Sequence, residues 1–307
     1  MELYLKYRPK KFKDLIGKTS AIKSLIKMTN NGETPHAIML SGPSGCGKTT
    51  VARILAKRLG ATDTDITEID SAHFRGIDTI REIRTHMGRS PYGECRAWII
   101  DECHNWRRDV QDSALKMLED TPSHVFFMLA TTDPQKLNAA VRNRCTHIKV
   151  RALTSSEMEK LIKKILKLEK KKISGDVVDK IVEVASGSPR KALVLLNQII
   201  PLKGESQQLD AIQNTDCEQQ SIELARKLMN PWCKFPDLLK VLRKIDEEPE
   251  SIRRMILGYA TKVALGGGNS TSRAITVIGQ FSGAYYDTGM AGLVYDCFAM
   301  CVNGKKR

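Results

Sequence analysis

Several absences narrow the function of this sequence before any motif is read. Its eight cysteines, Cys46, Cys95, Cys103, Cys145, Cys217, Cys233, Cys297 and Cys301, are scattered, with no C-x-x-C pair and no Cys/His cluster at zinc spacing. That excludes a zinc module of the usual kind and points to reduced thiols in a cytosolic protein. No run approaches the ~18 apolar residues a membrane-spanning helix needs, and Met1 to Lys6 lacks a signal-peptide hydrophobic region. Export and membrane contact are therefore not expected. Acidic residues are in the minority, 35 against 49 Lys and Arg, for a net charge of +14. Such a surplus argues for a polyanionic partner. With 307 residues and 41% hydrophobic content, the chain can bury more than one core, and its length suggests two or three domains.

The sequence Gly42-Pro43-Ser44-Gly45-Cys46-Gly47-Lys48-Thr49 fits the phosphate-loop pattern G-x-x-x-x-G-K-[ST] at every fixed position. It lies between Ile38-Met39-Leu40, which reads as a buried strand, and Thr50 to Ala56, which reads as a helix. Glycines let backbone N–H groups turn inward around a polyphosphate, and the helix N-terminus adds a favourable dipole. The expected nucleotide contacts are Gly42, Ser44, Gly45, Cys46, Gly47, Lys48, Thr49 and Thr50. Lys48 should meet the β- and γ-phosphates and Thr49 should ligate Mg2+.

A second signal is the apolar strand Arg96 to Ile100 running into Asp101-Glu102-Cys103-His104. A carboxylate at a strand's C-terminal edge can hold Mg2+, and the next can orient an attacking water. Asp101 is assigned to the metal and Glu102 to the water, with Cys103 a small buried residue and His104 a hydrogen-bonding loop histidine. His124 to Ala130 reads as a fully buried strand with Thr131-Thr132-Asp133 at its C-terminal edge. In an open parallel sheet that edge is where ligands bind, so Thr132 is a candidate to bond the γ-phosphate or the water.

Around these motifs the chain alternates strands and helices. Ser20 is expected to cap a helix carrying Ile22, Leu25 and Ile26, and Asp65 to Asp70 reads as a short strand. Arg75 to Arg84 reads as a helix with Ile77, Ile80 and Ile83 inward. Its arginines could receive phosphates or pair with Asp78 and Glu82. Asp109 to Glu119 and Pro134 to Val141 read as helices, and His147 to Val150 as a closing strand. Thr154-Ser155-Ser156-Glu157 is a capping box opening a helix with the stripe Leu161, Ile165, Leu168 and a lysine-rich opposite face. Helices from Ser174 to Ala185 and from Ser188-Pro189 onward follow it. Residues 204–215 read as a polar linker, and helical periodicity without a catalytic constellation fills the remainder. The expectation is α/β then all-α: a parallel five-stranded nucleotide-binding domain at 1–151, a three-helix domain at 152–203 and a helical domain at 204–307 suited to packing on copies of itself.

Together these residues resemble the clamp-loader branch of the AAA+ ATPases, meaning the replication factor C small subunits, the bacterial tau/gamma subunit and, most of all, the large clamp-loader subunit of T4-like bacteriophages. The resemblance runs along the first ~200 residues. Its carriers are Tyr7-Arg8-Pro9 with Phe12 and Ile16-Gly17, the phosphate loop, Arg75-Gly76-Ile77-Asp78, Asp101-Glu102-Cys103-His104, Thr131 to Leu137, Asn143-Arg144-Cys145 and Gly187 to Leu193. It implies that Tyr7, Arg8 and Pro9 border the adenine of ATP, that Thr132 is the first sensor, and that Arg190 is the second sensor on the γ-phosphate. It implies that Arg144 is an arginine finger completing a neighbouring subunit's site, and that Arg75 and Arg81 are among the DNA contacts. The family's finger motif is usually Ser-Arg-Cys; here Asn143 replaces the serine and Arg142 adds a second arginine.

The implied function is an ATP- and Mg2+-dependent subunit that opens a sliding clamp and sets it on primer–template DNA. Its implied partners are copies of itself and a non-identical clamp-loader subunit in a pentameric ring or spiral. The implied location is the cytoplasm, that of the host if the source is a phage. Two other readings stand beside it: a branch-migration or initiator AAA+ protein, and a nucleotide-gated scaffold that binds ATP without hydrolysing it.

Overall fold

A run of β-branched and apolar residues too short to be a helix, bounded by turn residues, makes a buried strand, and this chain has five such runs in one sheet. The computed structural model describes residues 2–71, 76–245 and 247–303. In chain order the first part holds α1 (Leu3–Lys6), α2 (Ser20–Asn30), β1 (Ala37–Ser41), α3 (Lys48–Arg58), β2 (Ile66–Asp70), α4 (Ile77–Met87) and β3 (Arg96–Asp101). It continues with α5 (Arg108–Glu119), β4 (Val125–Thr131), α6 (Ala139–Arg144), β5 (Thr146–Lys149), α7 (Ser155–Leu168), α8 (Gly175–Ala185) and α9 (Pro189–Ile199). All strand pairs are parallel, in the order β2-β3-β4-β1-β5.

Both faces of this sheet are covered, as a parallel sheet requires. One apolar cluster gathers Met39, Ile80, Ile83, Trp98, Ile100, Met117, Phe127 and Leu129, from alternate strand positions and from α4 and α5. The other gathers Ile22, Leu25, Ile38, Leu40, Val51, Leu55, Ile99 and Met128, from the intervening positions and from α2 and α3. The helices α7, α8 and α9 belong to the same compact unit as the sheet, Met1–Glu205.

The second unit, Ser206–Arg307, has helices as its regular structure among the described residues. It comprises most of α10 (Glu205–Met229), with α11 (Phe235–Leu242), α12 (Pro249–Leu265), α13 (Thr271–Gln280) and α14 (Gly289–Asn303). Leu224, Leu228, Leu238, Ile252, Ile256, Phe281 and Leu293 form its core. Glu250, only 8% exposed, accepts from Nε and Nη2 of Arg253 at 2.8 and 2.6 Å. That bidentate pairing, first among its causes, holds the Glu250 carboxyl down at about 2.

Three local expectations are corrected. The polar stretch 204–215 is not a linker: Glu205 to Met229 is one continuous helix, because its Gln, Glu, Ala and Leu residues are good helix formers and neither Gly nor Pro interrupts them. The cap of α2 is Thr19, whose hydroxyl accepts from Ile22 N–H at 3.2 Å, and Ser20 is the first helical residue. Pro134 to Val141 is not one helix. A 3-10 turn at Pro134–Lys136 ends in extended Leu137, and Asn138 then caps α6 by accepting from Val141 N–H at 2.8 Å. The stripe Leu161, Ile165, Leu168 of α7 lines a cleft described below, and the residues of α7 that are fully buried are Met158, Ile162, Ile165 and Leu166.

The capping box at Thr154 forms as the sequence indicates, with Glu157 accepting from Thr154 N–H at 3.0 Å and Thr154 Oγ1 accepting from Glu157 N–H at 3.3 Å. Glu157 also receives both guanidinium nitrogens of Arg151 at 2.7 and 2.8 Å. This clasp sits where the chain leaves the sheet for α7. Arg151 beside it holds the Glu157 carboxyl down at about 2, from an ordinary 4.5. A lowered carboxylate stabilises the fold fully above the ordinary value and loses that contribution as pH falls towards 2. Glu157→Gln should therefore cost about 1–2 kcal/mol at pH 7 after allowing for solvent screening. Denaturation of the two proteins across pH 7 to 2 should show the difference shrinking below about pH 4.5 and closing near pH 2.

Candidate nucleotide-binding site

The cleft that collects most of the expected site residues lies within the first unit and has a volume of about 610 Å³. It opens at the carboxyl ends of the strands, where open parallel sheets bind ligands. Its walls are the segment Tyr4 to Ile16, the phosphate loop, the starts of α3 and α9, the ends of β2 and β3, and one stripe of α7.

The phosphate loop joins β1 to α3, and two glycines give it its course. A Cβ at Gly42 would lie 1.9 Å from the Val150 carbonyl oxygen, so only glycine lets the loop pass the end of β5. Gly45 has φ +70°, and a Cβ there would lie 2.3 Å from Ser188 Oγ. The loop thus nests under the first turn of α9. Lys48 is 5% exposed, and its Nζ donates to the Gly42 and Pro43 carbonyls at 2.9 and 3.0 Å. The Cys46 thiol turns away to the Val150 carbonyl at 3.7 Å, and burial pushes its pKa up. Cys46 is nonetheless among the residues that line the cleft.

Beside the loop, Thr49 Oγ1 donates to Asp101 Oδ2 at 2.7 Å. Two hard oxygen donors at this spacing suit Mg2+. Among the described residues no three His, Cys, Asp or Glu side chains converge on a metal site of their own. That fits an ion completed by nucleotide oxygens and water. Asp101 Oδ1 accepts from Glu102 N–H at 3.0 Å, and Glu102 follows β3 in the left-handed region at φ 51°. Its carboxylate lines the cleft and lies 3.2 Å from His104 Nδ1.

The opposite end of the cleft is apolar. Leu15 and Ile16 line it together with Leu161, Ile165 and Leu168 of α7 and Leu193 of α9. Tyr7 and Pro9 lie along it, and Tyr7 OH donates to Glu169 Oε1 at 2.6 Å, a bond that raises the Tyr7 pKa. Arg8 turns towards the polar end instead: its Nε donates to Thr50 Oγ1 at 3.1 Å. Burial, and next the charge of Arg53, lower its pKa. Arg190 also lines the cleft, with its guanidinium 5.1 Å from the Tyr4 ring centroid, a cation–π distance.

Of the expected residues, Gly42 is not part of the cleft wall, and Thr132, Arg144 and Arg81 lie outside it. Thr132 is exposed just past β4 and is not in the cleft wall. Arg144 ends α6, where its Nε donates to Glu119 Oε1 at 2.7 Å and its Nη1 to the Ala140 carbonyl at 3.2 Å. Arg142 bonds Gln135 Oε1 at 2.7 Å. Arg81 is exposed and pairs with Asp78 at 3.0 Å, and Arg75 lies outside the described residues. Sequence reasoning missed the Arg53–Glu68 ion pair in the cleft wall, which no local pattern announces. It read Leu161, Ile165 and Leu168 as one apolar stripe without saying what the stripe meets, since periodicity reports an apolar face and not its partner.

Gly45→Ala should weaken ATP binding about tenfold or more, because the new methyl meets both a left-handed backbone and Ser188. Titration with a fluorescent ATP analogue measures this, and an unchanged circular dichroism spectrum separates it from unfolding.

Residues 38–153 match the family model for AAA, the ATPase family associated with various cellular activities. The DNA polymerase III subunit gamma/tau of Mycobacterium tuberculosis is 31% identical over 224 residues, covering 65% of this chain and 39% of the relative. The DNA polymerase III subunit gamma of Buchnera aphidicola is 34% identical over 219 residues, covering 64% and 60%, and the subunit tau of Bacillus subtilis is 32% identical over 225 residues, covering 66% and 40%. The chain thus spans less than two thirds of the length of each of these relatives. Among solved structures, the Thermotoga maritima RuvB Holliday junction branch migration motor superposes with a TM-score of 0.56 at 25% identity, over 73% of this chain and 78% of that one. A RuvB variant from the same organism superposes with the same score at 22% identity, over 89% and 86%, a likeness of fold alone. No helix among the described residues is long and apolar enough to cross a membrane. Residues 38–153, which match the AAA family model, thus hold both the parallel sheet and the phosphate loop of the cleft.

Proposed function

We propose that this chain is an ATP-driven clamp-loader subunit, acting with copies of itself and a non-identical partner in a ring or spiral to place a sliding clamp on primer–template DNA. The observation that carries the reading is the convergence of Lys48, Thr49, Asp101 and Glu102 on one cleft whose other end is apolar. The gamma and tau subunits of DNA polymerase III among its relatives supply the job, because a cleft of this kind by itself supports many.

In this reading the apolar wall of Leu161, Ile165 and Leu168 takes the base beside Tyr7 and Pro9, and the loop N–H groups with Lys48 take the phosphates. Thr49 and Asp101 would hold Mg2+, which when bound offsets the negative charge of the phosphate oxygens. Glu102 orients the attacking water. Arg190 approaches the γ-phosphate from α9, and Thr132 does so from the end of β4 once nucleotide is bound. Arg8 reaches the phosphate side of the cleft by way of Thr50, rather than the adenine.

Arg144 serves a different site. It stands at the end of α6, away from its own cleft and partly exposed, in a surface ion pair of the kind that is worth little and exchanges readily. A cation so placed can complete the cleft of a neighbouring copy, which makes hydrolysis depend on assembly. Arg81, whose Asp78 pairing is equally exposed, and Arg75 are proposed to meet DNA phosphates.

Steady-state ATPase of the chain with its co-expressed partner tests this, with and without clamp and primer–template DNA. The expected result is synergistic stimulation by the two ligands that Arg144→Ala abolishes while leaving ATP affinity within about twofold. Activity indifferent to both, or stimulated by Holliday junctions and not by primer–template DNA, would move the chain to another AAA+ task.

A further inference from the structure

Glu102 is fixed at its backbone and free at its side chain. Its N–H donates to Asp101 Oδ1 at 3.0 Å and its carbonyl accepts from Asn105 N–H at 2.9 Å, which together maintain the left-handed φ of 51°. Neither bond restrains the carboxylate, which sits three rotatable bonds further out and must point accurately to orient a water. The group beside it is His104, whose Nδ1 lies 3.2 Å from Glu102 Oε2. This ring is the next side chain but one along the chain, and it is mostly withdrawn from water, at 13% exposure.

The same Nδ1 lies 3.3 Å from Thr131 Oγ1. Two nearly equal, slightly long distances from one ring nitrogen are the geometry of a shared, three-centre bond, in which one N–H is divided between two oxygens. The acceptors suit it: a carboxylate oxygen and a hydroxyl oxygen with two lone pairs. Thr131 is the better anchored of the two. It is fully buried as the last residue of β4 and stands in register with Ser41. Its hydroxyl accepts from Asp133 N–H at 3.0 Å, and its carbonyl accepts from Gly42 N–H, the first residue of the phosphate loop, at 3.2 Å.

We propose that His104 is a positioning residue for Glu102, its Nδ1–H holding the glutamate carboxylate in register with the phosphate loop through the buried hydroxyl of Thr131. The inference rests on reading this cleft as an ATPase site. Its chain of contacts runs from Gly42 to Thr131, to His104, to Glu102, so any shift of the loop on nucleotide binding reaches the glutamate through one ring. His104 touches neither nucleotide nor water in this role. Its loss acts on turnover and leaves binding alone.

The test compares His104→Ala, His104→Phe and His104→Asn in the full chain assembled with its co-expressed partner, clamp and primer–template DNA, by single-turnover ATP hydrolysis and by titration with a fluorescent ATP analogue, with Glu102→Gln as the reference for lost chemistry. Phenylalanine keeps the ring's volume without the N–H, and asparagine places an amide N–H close to where Nδ1 stands. The expected result is a loss of about tenfold or more in rate for the alanine and phenylalanine proteins, with ATP affinity within about twofold, and recovery to within about threefold of wild type in the asparagine protein. Equal rates in all four His104 proteins would overturn the inference. So would an equal loss in all three variants, since an amide N–H would then not replace that of Nδ1, or a normal rate with phenylalanine, since the ring would then only fill space. A wild-type rate no faster than that of Glu102→Gln would overturn the ATPase reading itself, and the role of His104 with it.

Discussion

The hydrogen bond from Thr49 to Asp101, 2.7 Å long, is the contact around which the first unit is arranged. It joins the first turn of α3 to the end of β3, yet the strands that lead to these residues are not neighbours. β1, which precedes the phosphate loop, and β3, which ends in Asp101, are separated by β4. With strands about 4.8 Å apart, the two chain ends start roughly 10 Å from each other. The loop has to carry α3 across the end of β4 to close that gap. At that crossing the last residue of β4, Thr131, is buried, and its carbonyl accepts from Gly42 N–H.

Once that crossing is made, the remaining walls follow from chain connectivity. The chain leaves β5 through Val150 and Arg151, and the Arg151–Glu157 clasp turns it into α7. The apolar stripe Leu161, Ile165, Leu168 is thereby set against one end of the cleft, while Gly45 receives the first turn of α9 and brings Arg190 over Tyr4. A cleft assembled from both the sheet and the helices after it changes shape whenever the two shift against each other. In a clamp loader that coupling would convert nucleotide state into a change at the surface.

Much of this was legible in the sequence because the controlling residues are local. Five strand runs, the phosphate loop and the capping box each carry their signal within about ten residues. The parallel sheet, the strand carrying Asp101 and the direction of α7 needed no long-range information. What escaped was of two kinds. The helix Glu205–Met229 was hidden by composition, since its polar first half lacks the apolar rhythm by which helices are recognised, although its residues favour helix individually. The apolar cleft wall and the direction of Arg8 were hidden by tertiary context. Leu161 and Leu168 have the spacing of core residues, and Arg8 bonds Thr50, which lies more than forty residues further along the chain.

The central claim is that Thr49 and Asp101 form one oxygen pair serving a nucleotide-bound Mg2+. It is tested most directly by measuring ATP affinity with Mg2+ and with EDTA in the wild type, Thr49→Val, Asp101→Asn and the double variant. The account predicts that Mg2+ tightens binding to the wild type by about tenfold or more, that each single variant loses most of this gain, and that the double variant loses little beyond either one, because the two residues act as a unit. Full retention of the Mg2+ effect in the double variant would contradict it.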